Sequence, residues 1–192
     1  MRSARWLALP AAVWIAVAPL ALTPSTSSGQ AYPARPVRII VPFAPGGATD
    51  IVTRVIAPRL TDIWGQTVVV DNRGGAAGNI GAELAAKATP DGHTLFLPSG
   101  SVGTANQHIY RKISSNAEKD FIAITNVASG PQIVAVANNV AAKDLKELIT
   151  LAKAKPRSMT FGSAGIGSQT HLAAENFLYT AGIDAIHVPV NG

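Results

Sequence analysis

From Tyr32 onward the chain alternates short apolar runs with segments of helical periodicity, and this alternation limits its folds more than any other feature. Strands that are apolar almost throughout, with helices between them, build a largely parallel sheet covered by those helices. Residues 37–43 form the first such strand, closed by the turn Ala44-Pro45-Gly46-Gly47. The next helix is predicted to start near Thr49, whose hydroxyl can cap it, with Ile51, Val52, Val55, Ile56 and Leu60 on one buried face. Pro58 falls inside it, and an interior proline costs about 3 kcal/mol, so a bend or an early stop is expected. Further strands are predicted at residues 67–70, 94–97, 122–128, 133–137, 159–161 and 186–190. Residues 82–88 form a helix so poor in bulk that it must lie flat on a sheet, and the glycine- and alanine-rich stretch 72–81 before it must pass close to something. Pro90-Asp91-Gly92 is a turn, because proline presets φ and glycine accepts a positive one. Asp144 with Glu147 resembles a capping box for a helix burying Leu145, Leu148, Ile149 and Ala152 and ended by Pro156. A last helix spans 168–180, closed by Gly182.

The first thirty-one residues have a different organisation. Arg2 and Arg5 give a basic start, residues 6–22 are uncharged and apolar, and residues 23–31 are small and polar. That order is the pattern of a cleaved secretory signal peptide ending at Ala31, so the chain is expected in the periplasm. The apolar stretch is at the short end of what spans a bilayer, about 20 residues. Without Arg2 and Arg5 the chain carries 14 basic against 11 acidic side chains. So small an excess, with no run interleaving basic and aromatic residues, argues against a nucleic-acid partner. There is no cysteine, which excludes disulfides and thiolate metal sites.

Two strand-loop-helix junctions share one design: Phe43-Ala44-Pro45-Gly46-Gly47 leading to Asp50, and Ser163-Ala164-Gly165-Ile166-Gly167-Ser168 leading to His171. Small residues let the main chain turn tightly while the following helix presents unpaired N–H groups, and such a helix start favours an anion. Neither loop holds Lys or Arg, which favours a carboxylate over a polyphosphate. Asp50 is expected to orient the first loop's amides or to receive a ligand amine or hydroxyl. The competing reading is two ordinary tight turns, with Asp50 a first-turn acid. A hydrolase built on Ser163 or Ser168 with His171 lacks a Gly-x-Ser-x-Gly elbow. His171 and Glu175 are four apart but have no third ligand nearby, so no metal is expected. Residues 162–167 lack the Gly-x-Gly-x-x-Gly spacing of a nicotinamide site, and no cofactor is expected.

The chain resembles the Bug family, the extracytoplasmic receptors of tripartite tricarboxylate transporters. The resemblance rests on Tyr32-Pro33, Pro36 through Phe43, Pro45-Gly46-Gly47 with Asp50, Gly65-Gln66, Val68 through Val70, Asn72-Arg73, Gly78 through Gly81, Pro90-Asp91-Gly92, Leu145 through Leu148, Ser163-Ala164-Gly165, Gly167-Ser168, His171-Leu172 and His187-Val188-Pro189. It implies a type II periplasmic-binding-protein α/β fold, with two lobes joined by crossing strands. The first lobe would be residues 32–132 and the second, incomplete, residues 133–192. A small carboxylate would lie between a loop of one lobe (Phe43, Ala44, Pro45, Gly46, Gly47, Asp50) and a loop of the other (Ser163, Ala164, Gly165, Gly167, Ser168, His171). The implied partners are two integral membrane transporter subunits, and the complete protein would be a monomer without enzymatic activity. Family members usually have tyrosine where this chain has His93, and a Tyr-Lys pair where it has Val190-Asn191. They also run on well past residue 192, so the chain is expected to be truncated and unable to bind by itself. A ligand-sensing partner of a membrane kinase, or an exported hydrolase, are the alternatives.

Overall fold

The computed structural model describes residues 31–190. The signal-peptide expectation lies almost entirely outside them. Strand β1 (Val37–Val41) is the centre of a three-stranded parallel sheet of order β2-β1-β3, with β2 (Val68–Asn72) and β3 (Thr94–Phe96) on its two sides. Val37, Ile39, Ile40 and Val41 are buried, as a strand paired on both edges requires. Each buried aliphatic side chain contributes about 1.5–3 kcal/mol. Arg38 alone reaches outward from β1, where its guanidinium pairs with Asp71 of β2.

Helix α1 (Ala48–Trp64) departs from the sequence expectation in three ways. It starts one residue before Thr49, with Gly47 in the N-cap position and no side-chain cap. It continues through Pro58 to Trp64, where Gly65 in the left-handed region returns its N–H to Thr61 O. Its buried side chains are Asp50, Thr53 and Ala57, whereas Ile51 and Val55 are mostly exposed. The rotation follows from Asp50, whose hydrogen bonds to Gly46 and Asn72 fix the side of the helix that meets the sheet. Small residues on that side bring α1 close to β2, so that Thr61 Oγ1 accepts the Val68 amide at 3.1 Å.

A 3-10 turn (Ala76–Gly78) leads into α2 (Asn79–Ala86), which crosses near β1 through Gly81. A Cβ at Gly81 would lie 2.7 Å from Pro42 Cβ and 2.9 Å from Arg73 O, so only glycine fits. After β3 come three single-turn helices, α3 (Gly100–Gly103), α4 (Asn106–Ile109) and α5 (Ala117–Asp120). The strands predicted at 122–128 and 133–137 do not form. Both segments lie outside any helix or strand and are solvent-exposed, with Ile122 93% and Ile133 83% accessible. Among the described residues no neighbouring strand accepts their backbone, and apolar composition alone cannot make a ladder.

Helix α6 (Leu145–Ala154) has the expected cap, with Asp144 Oδ1 accepting Glu147 N at 2.9 Å and Glu147 Oε2 accepting Lys143 N at 2.8 Å. Of its expected inner face Ala152 is buried, Leu148 and Ile149 are half-buried and Leu145 is exposed. Strands β4 (Thr160–Ser163) and β5 (Ile186–Pro189) pair in parallel as a second, separate sheet, joined by α7 (Gln169–Ala181). Helix α7 starts one residue after the predicted start, with Ser168 as its cap, and Gly182 closes it as predicted. The two units touch where Ala164 packs against the cluster of Phe43, Ala82 and Val102.

Candidate functional site

The first junction is organised around Asp50, which is only 2% exposed. Its Oδ2 accepts Gly46 N at 2.8 Å and Arg54 Nε at 2.9 Å, and its Oδ1 accepts Asn72 Nδ2 at 3.0 Å. Asn72 also donates to Phe43 O at 3.1 Å and accepts from Arg54 Nη2 at 3.0 Å. The Arg54 guanidinium and then the Gly46 amide hold the Asp50 carboxyl at about 2, against an ordinary value of 3.8. All this acceptor capacity is spent inside the protein, so Asp50 shapes the loop and the Gly46 amide is already engaged. Ala44 is half-buried, while Pro45, Gly46 and Gly47 lie at the surface.

A second wall comes from the turn after β2. Gly75, Ala76, Ala77 and Gly78 all have positive φ, at 119°, 49°, 51° and 93°. Two alanines in succession in that region are strained, and such strain collects at functional sites. Fully buried Asn106 on α4 holds the turn, donating to Ala77 O at 3.0 Å and Asn79 Oδ1 at 2.8 Å. A Cβ at Gly78 would lie 2.6 Å from Val102, which explains the glycine. This is the close approach that residues 72–81 advertised.

The second junction packs on a pair of stacked imidazoles. His171 and His187 have ring centroids 4.0 Å apart, with Phe161 stacked 4.8 Å from His187. Ser163 Oγ is 2.6 Å from His187 Nε2 and donates to Gly165 O at 3.2 Å. Ser163 has one hydrogen; with it on Gly165 O, His187 is the donor. The serine thus links the loop to β5. Gly167 N donates to His171 Nδ1 at 3.1 Å, and Ser168 Oγ accepts His171 N at 3.2 Å. His171 Nε2 faces Glu175 Oε1 at 3.4 Å. Burial, and then the neighbouring His171, push the His187 ring below its ordinary value.

Between the units lies a cavity of about 250 Å³. Phe43, the turn 75–78 and Tyr110 form one side, and Ala164–Ile166 with Pro189 and Val190 form the other. Tyr110 crosses from the first unit, its hydroxyl donating to Ile166 O at 2.6 Å. Burial raises this phenol's pKa, so it stays a donor at neutral pH. The Ala77 nitrogen would sit 3.6 Å from a Cβ at Gly165, so backbone faces backbone across the cavity. Among the described residues no lysine or arginine lines it. Of the predicted site residues, Phe43, Ala164 and Gly165 line this space. Gly46, Gly47, Asp50, Ser163, Gly167, Ser168 and His171 stand behind the walls, and Ala44 and Pro45 lie beside the first. Ile166 lies within the second predicted loop, and sequence reasoning did not name Gly75, Ala76, Ala77, Gly78, Tyr110 and Pro189. The glycine spacing at 75 and 78 was a signal for the two alanines, whereas nothing local marks Tyr110.

Residues 52–192 match the sequence profile of the tripartite tricarboxylate transporter family receptors, TctC. The chain belongs to this family. Among its TctC-family relatives are protein BugT of Bordetella pertussis, 38% identical over 86% of this chain and 51% of BugT, and a Pseudomonas sp. strain P51 protein from the tcbD-tcbE intergenic region. The latter is 36% identical over 90% of this chain and 52% of its own length. The chain thus spans about half the length of these curated relatives. A solved R. palustris TctC-like structure with adipate superposes with a TM-score of 0.82 at 34% identity, over 84% of this chain and 54% of that one. MatC from Rhodopseudomonas palustris with bound malate gives 0.73 at 28%, over 84% and 55%. With these structures the chain shares the α/β periplasmic-binding-protein fold over about 54% of their length, one lobe and part of the second.

Proposed function

We propose that the chain is an extracytoplasmic solute-binding receptor that captures a small carboxylate between its two α/β units for a tripartite tricarboxylate transporter. The observation that carries this reading is the 250 Å³ cavity between the units, walled by glycine and alanine backbone and, among the described residues, free of cationic side chains. The backbones of Ala77 and Gly165 face each other across it, and turns of this kind offer main-chain amides to a carboxylate from both walls. Relatives of the same fold hold adipate and malate. In this reading residues 32–132 are the first lobe and residues 133–192 belong to the second. Phe43, Ala164 and Gly165 meet the ligand. The rest of the predicted set, Ala44 to Gly47 with Asp50 and Ser163 with Gly167, Ser168 and His171, frames the loops that enclose it. Export by a signal peptide cleaved after Ala31 delivers the receptor to the periplasm, where two integral membrane subunits receive the ligand. Capture and release need no enzymatic step and no cofactor.

A thermal-shift series with adipate, malate and other small carboxylic acids tests this. A ligand at 100 times its dissociation constant adds about 2.7 kcal/mol to stability, a rise of several degrees. Because the chain spans about half the length of its relatives, the same series is run on a version completed to that length, and no shift with any acid in either, confirmed by calorimetry, rejects the reading.

A further inference from the structure

The proposed cavity has one wall whose position depends on a neutral histidine. Three successive residues of that wall are each held by a different group. Gly165 O accepts Ser163 Oγ, Ile166 O accepts Tyr110, and Gly167 N donates to His171 Nδ1 at 3.1 Å. The last bond needs a lone pair on Nδ1, so the His171 proton resides on Nε2, toward Glu175 Oε1. His187, stacked on the same ring, holds the other end of the wall through Ser163.

We propose that His171 is a positioning residue that makes ligand capture pH-dependent: protonating Nδ1 turns the acceptor of the Gly167 amide into a donor and releases the Gly165–Gly167 wall. The inference rests on the carboxylate reading for its consequence, but the clip itself is a property of the ligand-free chain. The two histidines are not equivalent. His187 meets Ser163 through Nε2, and a ring protonated on both nitrogens still donates there, so the bond to Ser163 stays in place. The titratable groups placed against His171 are His187 on β5, Glu175 one turn along α7, and Tyr110 beyond Gly167. Gly167 has φ of 81° with the Tyr110 ring 3.3 Å from where a Cβ would stand, so the loop has little room to find another acceptor.

The test uses the chain, His171→Ala and His171→Asn, whose Oδ1 can accept near the Nδ1 position without titrating. Adipate and malate affinities are measured by calorimetry from about pH 8 to about pH 5, across the ordinary histidine range. The native chain should lose about tenfold in affinity toward acid, the scale of one hydrogen bond. His171→Ala should be weakened by about that factor at every pH, and His171→Asn should restore most of the affinity with a flat profile. A native profile shared by His171→Asn overturns the proposal. In parallel, the Gly167 amide proton of the ligand-free chain is followed by NMR. It should shift in step with the His171 ring and stay constant in His171→Asn. An indifferent Gly167 amide overturns the proposal whatever binds. Failure of every acid at pH 8, with a responsive Gly167, supports the clip and counts against the carboxylate reading.

Discussion

Replacing Asp50 by asparagine should cost the protein its first junction and most of its acid sensitivity at that point. Both carboxylate oxygens of Asp50 accept hydrogen bonds, Oδ2 from Gly46 N and Arg54 Nε and Oδ1 from Asn72 Nδ2. An asparagine offers one acceptor oxygen, so its amide nitrogen must face a donor, whichever way it is turned. Leaving a buried donor unsatisfied costs about 1–3 kcal/mol. The charge contributes separately. The Asp50 carboxyl is lowered from 3.8 to about 2, which at 1.36 kcal/mol per unit is at most about 2.5 kcal/mol. Arg54 is 53% exposed, and screening through solvent reduces this to about 1–2 kcal/mol. A carboxyl depressed by folding stabilises the native state fully above its unfolded value, near 4, and loses that contribution as pH falls through about 2. Urea unfolding of the native chain should therefore lose about 1–2 kcal/mol from this group between pH 5 and pH 2. Asp50→Asn should be about 2–3 kcal/mol less stable at pH 7, with the difference shrinking at pH 2. Equal stability of the two proteins at pH 7, or a difference that grows in acid, would refute the reasoning.

Tyr110→Phe removes the hydroxyl that reaches Ile166 O and should weaken adipate or malate binding by about three- to tenfold in calorimetry, with little change in melting temperature. Gly165→Ala places a methyl group at φ of 105° and 3.6 Å from Ala77 N, so binding should fall further than stability when both are measured on one sample. Gly81→Ala drives a Cβ into the backbone of Pro42 and Arg73 and should destabilise by about 2 kcal/mol or more in urea, whereas Gly103→Ala, facing open space, should not. Ser168→Ala removes the α7 cap and should cost about 1 kcal/mol by the same assay.

The parallel order of the sheet was legible because β1 is apolar at nearly every position, and the α7 boundaries because Ser168 and Gly182 are unambiguous end signals. The rotation of α1 was not legible. Its sequence offers Ile51 and Val55 as a face, but the decision lies with Asp50 and its partners, Asn72 twenty-two residues away and Gly46 on a loop that periodicity does not read. The strands expected at 122–128 and 133–137 failed for a related reason: apolar residues permit a strand, and only a partner edge makes one. At the site, the loop chemistry of Gly46 and Gly47 pointed to an anion-binding helix start, while the structure spends the Gly46 amide on Asp50. The cavity is instead shaped by the turn 75–78, whose purpose no single residue reveals, and by Tyr110, which is fifty-six positions from its partner.

Among the described residues the two sheets share no ladder hydrogen bond, and the chain between them runs exposed and outside any helix or strand through 122–137. A hinge placed there can swing one unit against the other while every strand keeps its register. Such a motion would be nearly silent to circular dichroism and to amide exchange within β1 or β4. It would be plain to a distance label, one on Thr61 and one on Glu175, whose separation should narrow on adding adipate while the secondary-structure spectrum stays fixed.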